Sequence, residues 1–123
     1  MLSILEEIRQ FLPLAVANVE TDFDGVSFGG GSWRLRVNTT WRLTKNDESV
    51  ASLEGLIGDE VVDVVFRPRE VGMDLTVSTR AGLDFEIVSD FPYGEWIFSV
   101  WHPRDERRIP FFDLEGPISP DLV

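Results

Sequence analysis

The chain has 123 residues, of which 43% are hydrophobic and 11% aromatic, and this composition predicts one folded domain over residues 1–123. The absence of cysteine excludes disulfides, thiolate metal sites and a cysteine nucleophile. The formal net charge of −11 repels nucleic-acid backbones and anionic membrane surfaces, so we expect neither as a partner. Such a charge either serves solubility alone or steers a basic protein partner toward the surface.

The first element is predicted as a helix over residues 1–13. Its apolar residues fall near one helical stripe: Leu2, Leu5, Ile8 and Leu12. Pro13 ends the pattern. The segment lacks the basic region of a signal peptide, and no stretch of the chain reaches the roughly 18 apolar residues of a membrane span. We therefore expect a cytoplasmic protein with no membrane partner.

Residues 14–101 are predicted to form an antiparallel β meander. Alternation of apolar and polar residues indicates strands at 32–37, 41–44, 73–79 and 83–88. The glycine triplet at 29–31 precedes a strand rather than a helix, so we interpret it as a turn and not as a phosphate-binding loop. A short helical connector is predicted near residues 50–57. The last segment, 102–123, contains four prolines and is predicted to be an extended tail that lies over the core.

The stretch 83–101 is the predicted centre of the core. Its first half alternates apolar and acidic residues, residues 89–94 have the composition of a turn, and residues 95–101 are again β-prone. We interpret it as a hairpin. Together these patterns predict a mainly β fold of the α+β class. Its core would be a strongly curved or barrel-like antiparallel sheet of about seven or eight strands, with an N-terminal helix and an extended C-terminal tail.

Charged residues form two stripes on the predicted strands. The basic stripe comprises Arg34, Arg36 and Arg42, and the acidic stripe comprises Asp74, Asp84 and Glu86. We hypothesise that the two stripes pair across strands or across a subunit interface, because opposite charges on neighbouring strands attract each other.

The four tryptophans are predicted to have two uses. Trp33, Trp41 and Trp96 fall on the apolar faces of their strands, which is typical of core residues. Trp101 lies beside His102 and Pro103, and we expect it in an exposed patch.

Catalytic chemistry finds little support in the sequence. His102 is the only histidine, so a metal site with two or three histidines from one chain is excluded. Asp84 and Glu86 share one face of a strand and have the spacing of a hydrolase pair, but we interpret them as a solvated face. We predict no catalytic, cofactor-binding or metal-binding residue and no cofactor.

Two segments resemble small acidic, β-rich bacterial proteins of unknown function. They are GSWRLRV…WRL in the first half and MDLTV…GLDFEIVSDFPYGEW in the second, and the resemblance covers about residues 28–101. Such families are similar to the immunity proteins that are encoded beside polymorphic toxins. The resemblance implies a protein that acts by binding another protein.

The favoured functional interpretation is a non-enzymatic cytoplasmic binding protein, of the immunity type, that uses an acidic surface to cover a basic toxin domain. The predicted partner-binding residues are Asp84, Glu86, Asp90, Tyr93, Glu95, Asp105 and Glu106. Two alternatives remain. One is a small ligand-binding or hydrolase-like β barrel that uses carboxylates, and the other is a structural homodimer joined through the apolar tail.

Overall fold

The computed structural model describes residues 2–123, which form one α-helix, two short 3-10 helices and eleven β-strands. Helix α1 spans Ile4–Arg9, and the 3-10 helices span Leu53–Leu56 and Pro120–Leu122. The strands are β1 (Leu14–Ala15), β2 (Asn18–Asp22), β3 (Gly25–Gly29), β4 (Trp33–Val37), β5 (Thr40–Lys45), β6 (Glu48–Ser49), β7 (Glu60–Arg69), β8 (Gly72–Thr79), β9 (Leu83–Val88), β10 (Trp96–Trp101) and β11 (Pro110–Gly116).

The strands form two antiparallel sheets. One sheet has six strands in the order β1-β7-β8-β9-β5-β6, and the other has five strands in the order β11-β10-β4-β3-β2. Their apolar faces form a shared core, in which Phe28 of β3 packs against Phe85 of β9 with ring centroids 4.9 Å apart. The predicted mainly β, antiparallel architecture with an N-terminal helix is confirmed. The strand number and the sheet arrangement differ from the prediction, because eleven strands of residues 2–123 divide between two sheets.

The stretch 83–101, predicted to be a hairpin, is a connection between the two sheets. Strand β9 pairs with β5 and β8, whereas β10 pairs with β4 and β11, so the stretch 83–101 crosses from one sheet to the other. Strands β4 and β5 are separated in the same way. The hairpin interpretation of 83–101 was therefore wrong, and the predicted strands at 32–37 and 41–44 are likewise not neighbours in a meander. A period of two shows which face of a strand is apolar but not which strand is its neighbour.

The predicted tail contains a further strand. Residues 110–116 form β11, which pairs with β10 from Trp96↔Gly116 to Trp101↔Pro110. The helical connector expected near 50–57 is the 3-10 helix Leu53–Leu56. Residue 1 of the predicted helix 1–13 lies outside the described residues, and the rest of that segment is helical over Ile4–Arg9.

Helix α1 lies between the edges of the two sheets. Phe11, just after the helix, makes edge-to-face contacts with Phe111 and Phe112 of β11. On the other side, Arg9 donates hydrogen bonds to the Asp63 carboxylate and to the Val64 carbonyl of β7. The helix thereby contacts β7 of the six-stranded sheet, and the residue Phe11 after it contacts the edge strand β11 of the five-stranded sheet.

Candidate functional site

Three connections lie at one end of the molecule. They are the β2–β3 turn (residues 23–24), the β7–β8 turn (residues 70–71) and the β9–β10 loop (residues 89–95), and we call this region the turn end. The antiparallel registers place these connections together, since Gly25 lies against the end of β4 and the Asn38 N–H donates to the Glu95 carbonyl over 2.8 Å. A bridge between Met73 and Ile118 joins the β7–β8 side to the segment after β11.

Three aromatic side chains project into solvent from the turn end. Phe23 at the tip of the β2–β3 turn is fully exposed, while Phe91 and Tyr93 in the β9–β10 loop are 64% and 77% exposed. Single exposed apolar residues are ordinary, but aromatic residues raised on turns at one end of a fold are typical of a contact surface.

Carboxylates accompany these aromatic residues. Asp22 and Asp24 flank Phe23, Asp90 precedes Phe91, and Glu70 lies in the β7–β8 turn. Two arginines near this end are held by acids of the same chain: Arg36 binds Asp22 over 3.2 Å, and Arg69 binds Glu86 over 2.6 Å. The charged residues within the three connections, Asp24, Glu70, Asp90 and Glu95, are all acidic.

The β2–β3 turn is fixed by the carboxylate of Asp22. Its Oδ1 accepts hydrogen bonds from the backbone N–H groups of Asp24 and Gly25, over 2.9 and 3.1 Å. The hydrogen bond from Arg36, together with those backbone donors, lowers the pKa of Asp22 below its ordinary value. Phe23 is consequently displayed on a turn that is held by side-chain as well as backbone hydrogen bonds.

The β9–β10 loop is anchored at both ends by Asp74, a fully buried residue of β8. Asp74 accepts hydrogen bonds from the backbone N–H (2.8 Å) and the hydroxyl (2.7 Å) of Ser89, the first residue of the loop. It also accepts one from the indole of Trp96 (3.0 Å), the residue after the loop. Pairing of β8 with β9 stops at Thr76↔Glu86, so the Asp74 side chain occupies the place where these strands separate.

An ion-pair network surrounds this anchor. The Arg69 Nε lies 3.7 Å from the Asp74 carboxylate, and its guanidinium also binds Glu86 and the Ile87 carbonyl. Arg42 binds Glu86 from the neighbouring strand over 3.2 Å. Burial raises the pKa of Glu86, but the hydrogen bond from Arg69 and the charges of Arg42 and Arg69 outweigh it, so the pKa lies below its ordinary value.

A cleft of about 620 Å³ opens beside the network, between the β7–β8 turn and the start of the β9–β10 loop. We call it the turn-end cleft. Its lining residues are Pro68, Arg69, Glu70, Val71, Val88, Ser89 and Asp90.

The predicted partner-binding residues fall in three separate places. Asp90, Tyr93 and Glu95 belong to the turn end, although Glu95 is only 8% exposed and offers little surface to a partner. Asp84 and Glu86 lie on the outer face of the six-stranded sheet, where Ser78 binds Asp84 over 2.7 Å. Asp105 and Glu106 lie at the opposite end, in the β10–β11 connection. The structure therefore does not bring the seven residues into one surface.

The hypothesis of two pairing charge stripes is confirmed at one pair only. Arg42 and Glu86 are cross-strand neighbours and form an ion pair, whereas Arg34 and Arg36 lie on the other sheet and contact Glu20 and Asp22. Asp74 is not an exposed member of the acidic stripe, because it turns into the gap between β8 and β9 and is fully buried.

The tryptophans and His102 also differ in part from expectation. Trp33 and Trp96 are buried in the core, as predicted, whereas Trp41 is only half-buried and packs against it. Trp101 is buried too, not exposed, because its indole donates a hydrogen bond of 3.0 Å to the Gly31 carbonyl. The exposed His102 ring lies 4.7 Å from the Phe111 ring.

Sequence reasoning missed Phe23, Phe91, Asp74 and the cleft. Phe23 and Phe91 stand among turn-forming residues, where a large apolar side chain has no buried strand face to occupy. Their position in the turns was therefore the sequence feature that could have predicted their exposure. The sequence does not indicate that Asp74 is buried, because a polar residue between the apolar Met73 and Leu75 has the pattern of a residue on the solvent-exposed face of a strand.

Within residues 2–123, no group of three or more histidine, aspartate or glutamate side chains is arranged to hold a metal ion. Neither α1 nor the 3-10 helices of the described chain have the length and apolar character needed to span a membrane. Comparisons of the chain with protein-family models, curated proteins and solved structures found no match.

Proposed function

We propose that the protein is a non-enzymatic, cytoplasmic binding protein whose turn end docks on a basic surface of another protein, as an immunity-type protein covers a basic toxin domain. The observation that carries the proposal is the display of Phe23, Phe91 and Tyr93 among exposed carboxylates at one end of the fold. Aromatic anchors supply most of the energy of such contacts, and the surrounding charges select the partner and increase the association rate.

The fixed geometry of the turn end supports the proposal. Asp74 holds both ends of the β9–β10 loop, and Asp22 holds the β2–β3 turn. A loop that is already ordered loses less conformational entropy when it binds, so more of the contact energy appears as affinity. Buried hydrogen bonds that fix an exposed aromatic loop are expected for a binding surface.

The alternative of carboxylate catalysis receives less support from the geometry. Glu86, one member of the predicted acid pair, has a lowered pKa because two arginines bind it. A general acid needs a pKa raised toward neutral pH, so Glu86 is poorly suited to donate a proton.

The test is capture of partners from a lysate of the source cells, by the parent protein and by the double variant Phe91→Ala/Tyr93→Ala. We expect the parent to retain a basic protein that is released by high salt, and the double variant to bind it at least about tenfold more weakly, as for loss of hot-spot residues. The matched control is Ile109→Ala, which removes an exposed apolar side chain at the opposite end.

Two results contradict the proposal. One is a partner that binds the double variant as tightly as the parent protein, since the contact then lies elsewhere. The other is capture that is insensitive to ionic strength, because exposed charge pairs are screened by salt.

A further inference from the structure

The turn-end cleft has the dimensions of a binding site for a side chain together with a short piece of its backbone. Its volume of about 620 Å³ lies within the range of roughly 300–1,000 Å³ that is usual for ligand sites. Pro68, Val71 and Val88 give it apolar walls, and Glu70 and Asp90 lie on its two sides. An aliphatic chain that ends in a polar group matches this combination.

The unused polar atoms of the cleft are hydrogen-bond acceptors. Within the described chain, the carboxylates of Glu70 and Asp90 have no hydrogen bond or ion pair to another side chain. Ser89 is 93% buried, and its hydroxyl proton is directed to Asp74, so its oxygen has only acceptor sites left for a ligand. A ligand must therefore bring donors.

Arg69 is the one cation in the lining, and its charge is already balanced. Arg69 and Arg42 contribute two positive charges, while Asp74 and Glu86 contribute two negative charges to the same network. Glu70 and Asp90 then leave the cleft with two uncompensated negative charges. An anionic ligand would be repelled by this surplus, whereas a cationic ligand is attracted.

We propose that the turn-end cleft takes a lysine or arginine side chain of the protein partner. The aliphatic stem lies along Val71 and Val88, and the cationic head is held between Glu70 and Asp90 with the Ser89 oxygen as a further acceptor. Long basic side chains combine an apolar stem with a charged head in this way. The inference rests on the proposed function only in assigning the ligand to a protein partner.

The experiment titrates the full-length protein with N-acetyl-arginine-N-methylamide and N-acetyl-lysine-N-methylamide and follows backbone amide and methyl signals by NMR. The expected shifts are concentrated at Val71, Val88 and Ser89. N-acetyl-norleucine-N-methylamide, which has an aliphatic stem without the charge, is the control, and its affinity should be lower than that of the arginine probe by a factor of at least about five. Inorganic phosphate is titrated in the same way to test whether the cleft prefers an anion.

The variant Glu70→Gln/Asp90→Asn removes both charges and keeps the shape of the cleft. It should weaken binding of the arginine probe about fivefold or more, with folding checked by the unchanged amide spectrum outside the cleft. The matched control Asp24→Asn removes a turn-end charge outside the cleft and should leave probe binding unchanged. Equal binding of norleucine and arginine probes, preferential binding of phosphate, or shifts located elsewhere would overturn the inference.

The failure of this inference is distinguishable from failure of the proposed function. The probe titration uses the protein alone, so specific binding of the arginine probe supports the cleft assignment even when no basic partner is captured. Conversely, a captured partner that binds Glu70→Gln/Asp90→Asn as tightly as the parent refutes the cleft assignment and leaves the role of Phe91 and Tyr93 intact.

Discussion

The indole N–H of Trp96 donates a hydrogen bond of 3.0 Å to the carboxylate of Asp74, and this bond joins the two sheets. Trp96 begins β10 in the five-stranded sheet, while Asp74 belongs to β8 in the six-stranded sheet, and both side chains are fully buried. The same carboxylate binds Ser89, so one residue connects the core to the exposed loop of the candidate site.

Replacement of Asp74 by alanine is predicted to destabilise the fold by at least about 3 kcal/mol. The change leaves the buried donors of Ser89 and Trp96 without an acceptor, and each unsatisfied buried group costs about 1–3 kcal/mol. The free energy of unfolding is measured by urea denaturation. The control is Asp84→Ala on the exposed sheet face, for which we expect a loss of less than about 1 kcal/mol. Similar losses for the two variants would refute the anchoring role of Asp74.

Gly116→Ala is predicted to lower the free energy of unfolding by at least about 1–3 kcal/mol. A Cβ atom at Gly116 would overlap the Trp96 indole ring, which is fixed by its bond to Asp74 and has no free space to move into. Gly55→Ala is the matched control, because nothing lies within 4 Å of the position of its added Cβ. Thermal unfolding should show a lowered Tm for Gly116→Ala only. An unchanged Tm for both variants would contradict the close packing of Gly116 against the Trp96 indole.

Double-mutant cycles should distinguish Arg42–Glu86, which forms an ion pair, from Arg36–Glu86, which combines members of the two charge stripes but forms none. Arg42 and Glu86 are cross-strand neighbours 3.2 Å apart, so Arg42→Ala and Glu86→Ala should show a coupling of up to about 1 kcal/mol. Arg36 lies on the other sheet, and its cycle with Glu86 should give no coupling beyond experimental error. The unfolding free energies of the single and double variants provide the measurement. A larger coupling for Arg36 than for Arg42 would mean that the strand registers are wrong.

Stability is predicted to fall as the pH decreases below about 4.5. The pKa of Glu86 lies below its ordinary value, and so does that of Asp59, where the nearby Thr79 side chain and the backbone N–H groups of Glu60 and Ala81 outweigh the effect of burial. A carboxyl whose pKa is lowered by folding stabilises the folded state above its unfolded pKa and loses that contribution as the pH falls through its folded pKa.

The measurement is the free energy of unfolding as a function of pH between about 6 and 3. Glu86→Gln should have a shallower decrease than the parent, since the variant has no proton to take up at this position. Glu106→Gln, in the exposed β10–β11 connection, is the matched control and should keep the slope of the parent. A decrease that is equally steep in Glu86→Gln would show that its ion pairs contribute nothing to the acid sensitivity.

The sequence allowed prediction of the strands but not of their partners. The alternation of Leu83, Phe85 and Ile87 identified an inward face, and all three side chains are buried. Alternation is a local property, whereas the choice between pairing within one sheet and packing across two sheets depends on contacts that are distant in the chain. The stretch 83–101 therefore looked like a hairpin although it crosses the core.

The candidate site was less predictable than the fold, because its charges have different environments in similar local sequences. Asp74, Asp84 and Asp90 all lie beside apolar residues, yet one is fully buried, one binds Ser78 on a sheet face and one lines the cleft. Only the break in β8–β9 pairing after Thr76↔Glu86 distinguishes Asp74, and that break arises in the tertiary structure. Tyr93 and Asp90 stand in a segment with clear turn composition, and both side chains are exposed.

Helix α1 and the residues after it are expected to keep the protein soluble, although the helix is only six residues long. Exposed strand edges present unpaired backbone groups that recruit strands from other molecules. Arg9 donates a hydrogen bond to the Val64 carbonyl of β7, and Phe11, just after the helix, packs on the aromatic side chains of β11, so this N-terminal segment protects one side of both sheets. A chain shortened to begin at residue 13 should retain most strand pairs but aggregate through these uncovered edges, and light scattering during storage would detect it.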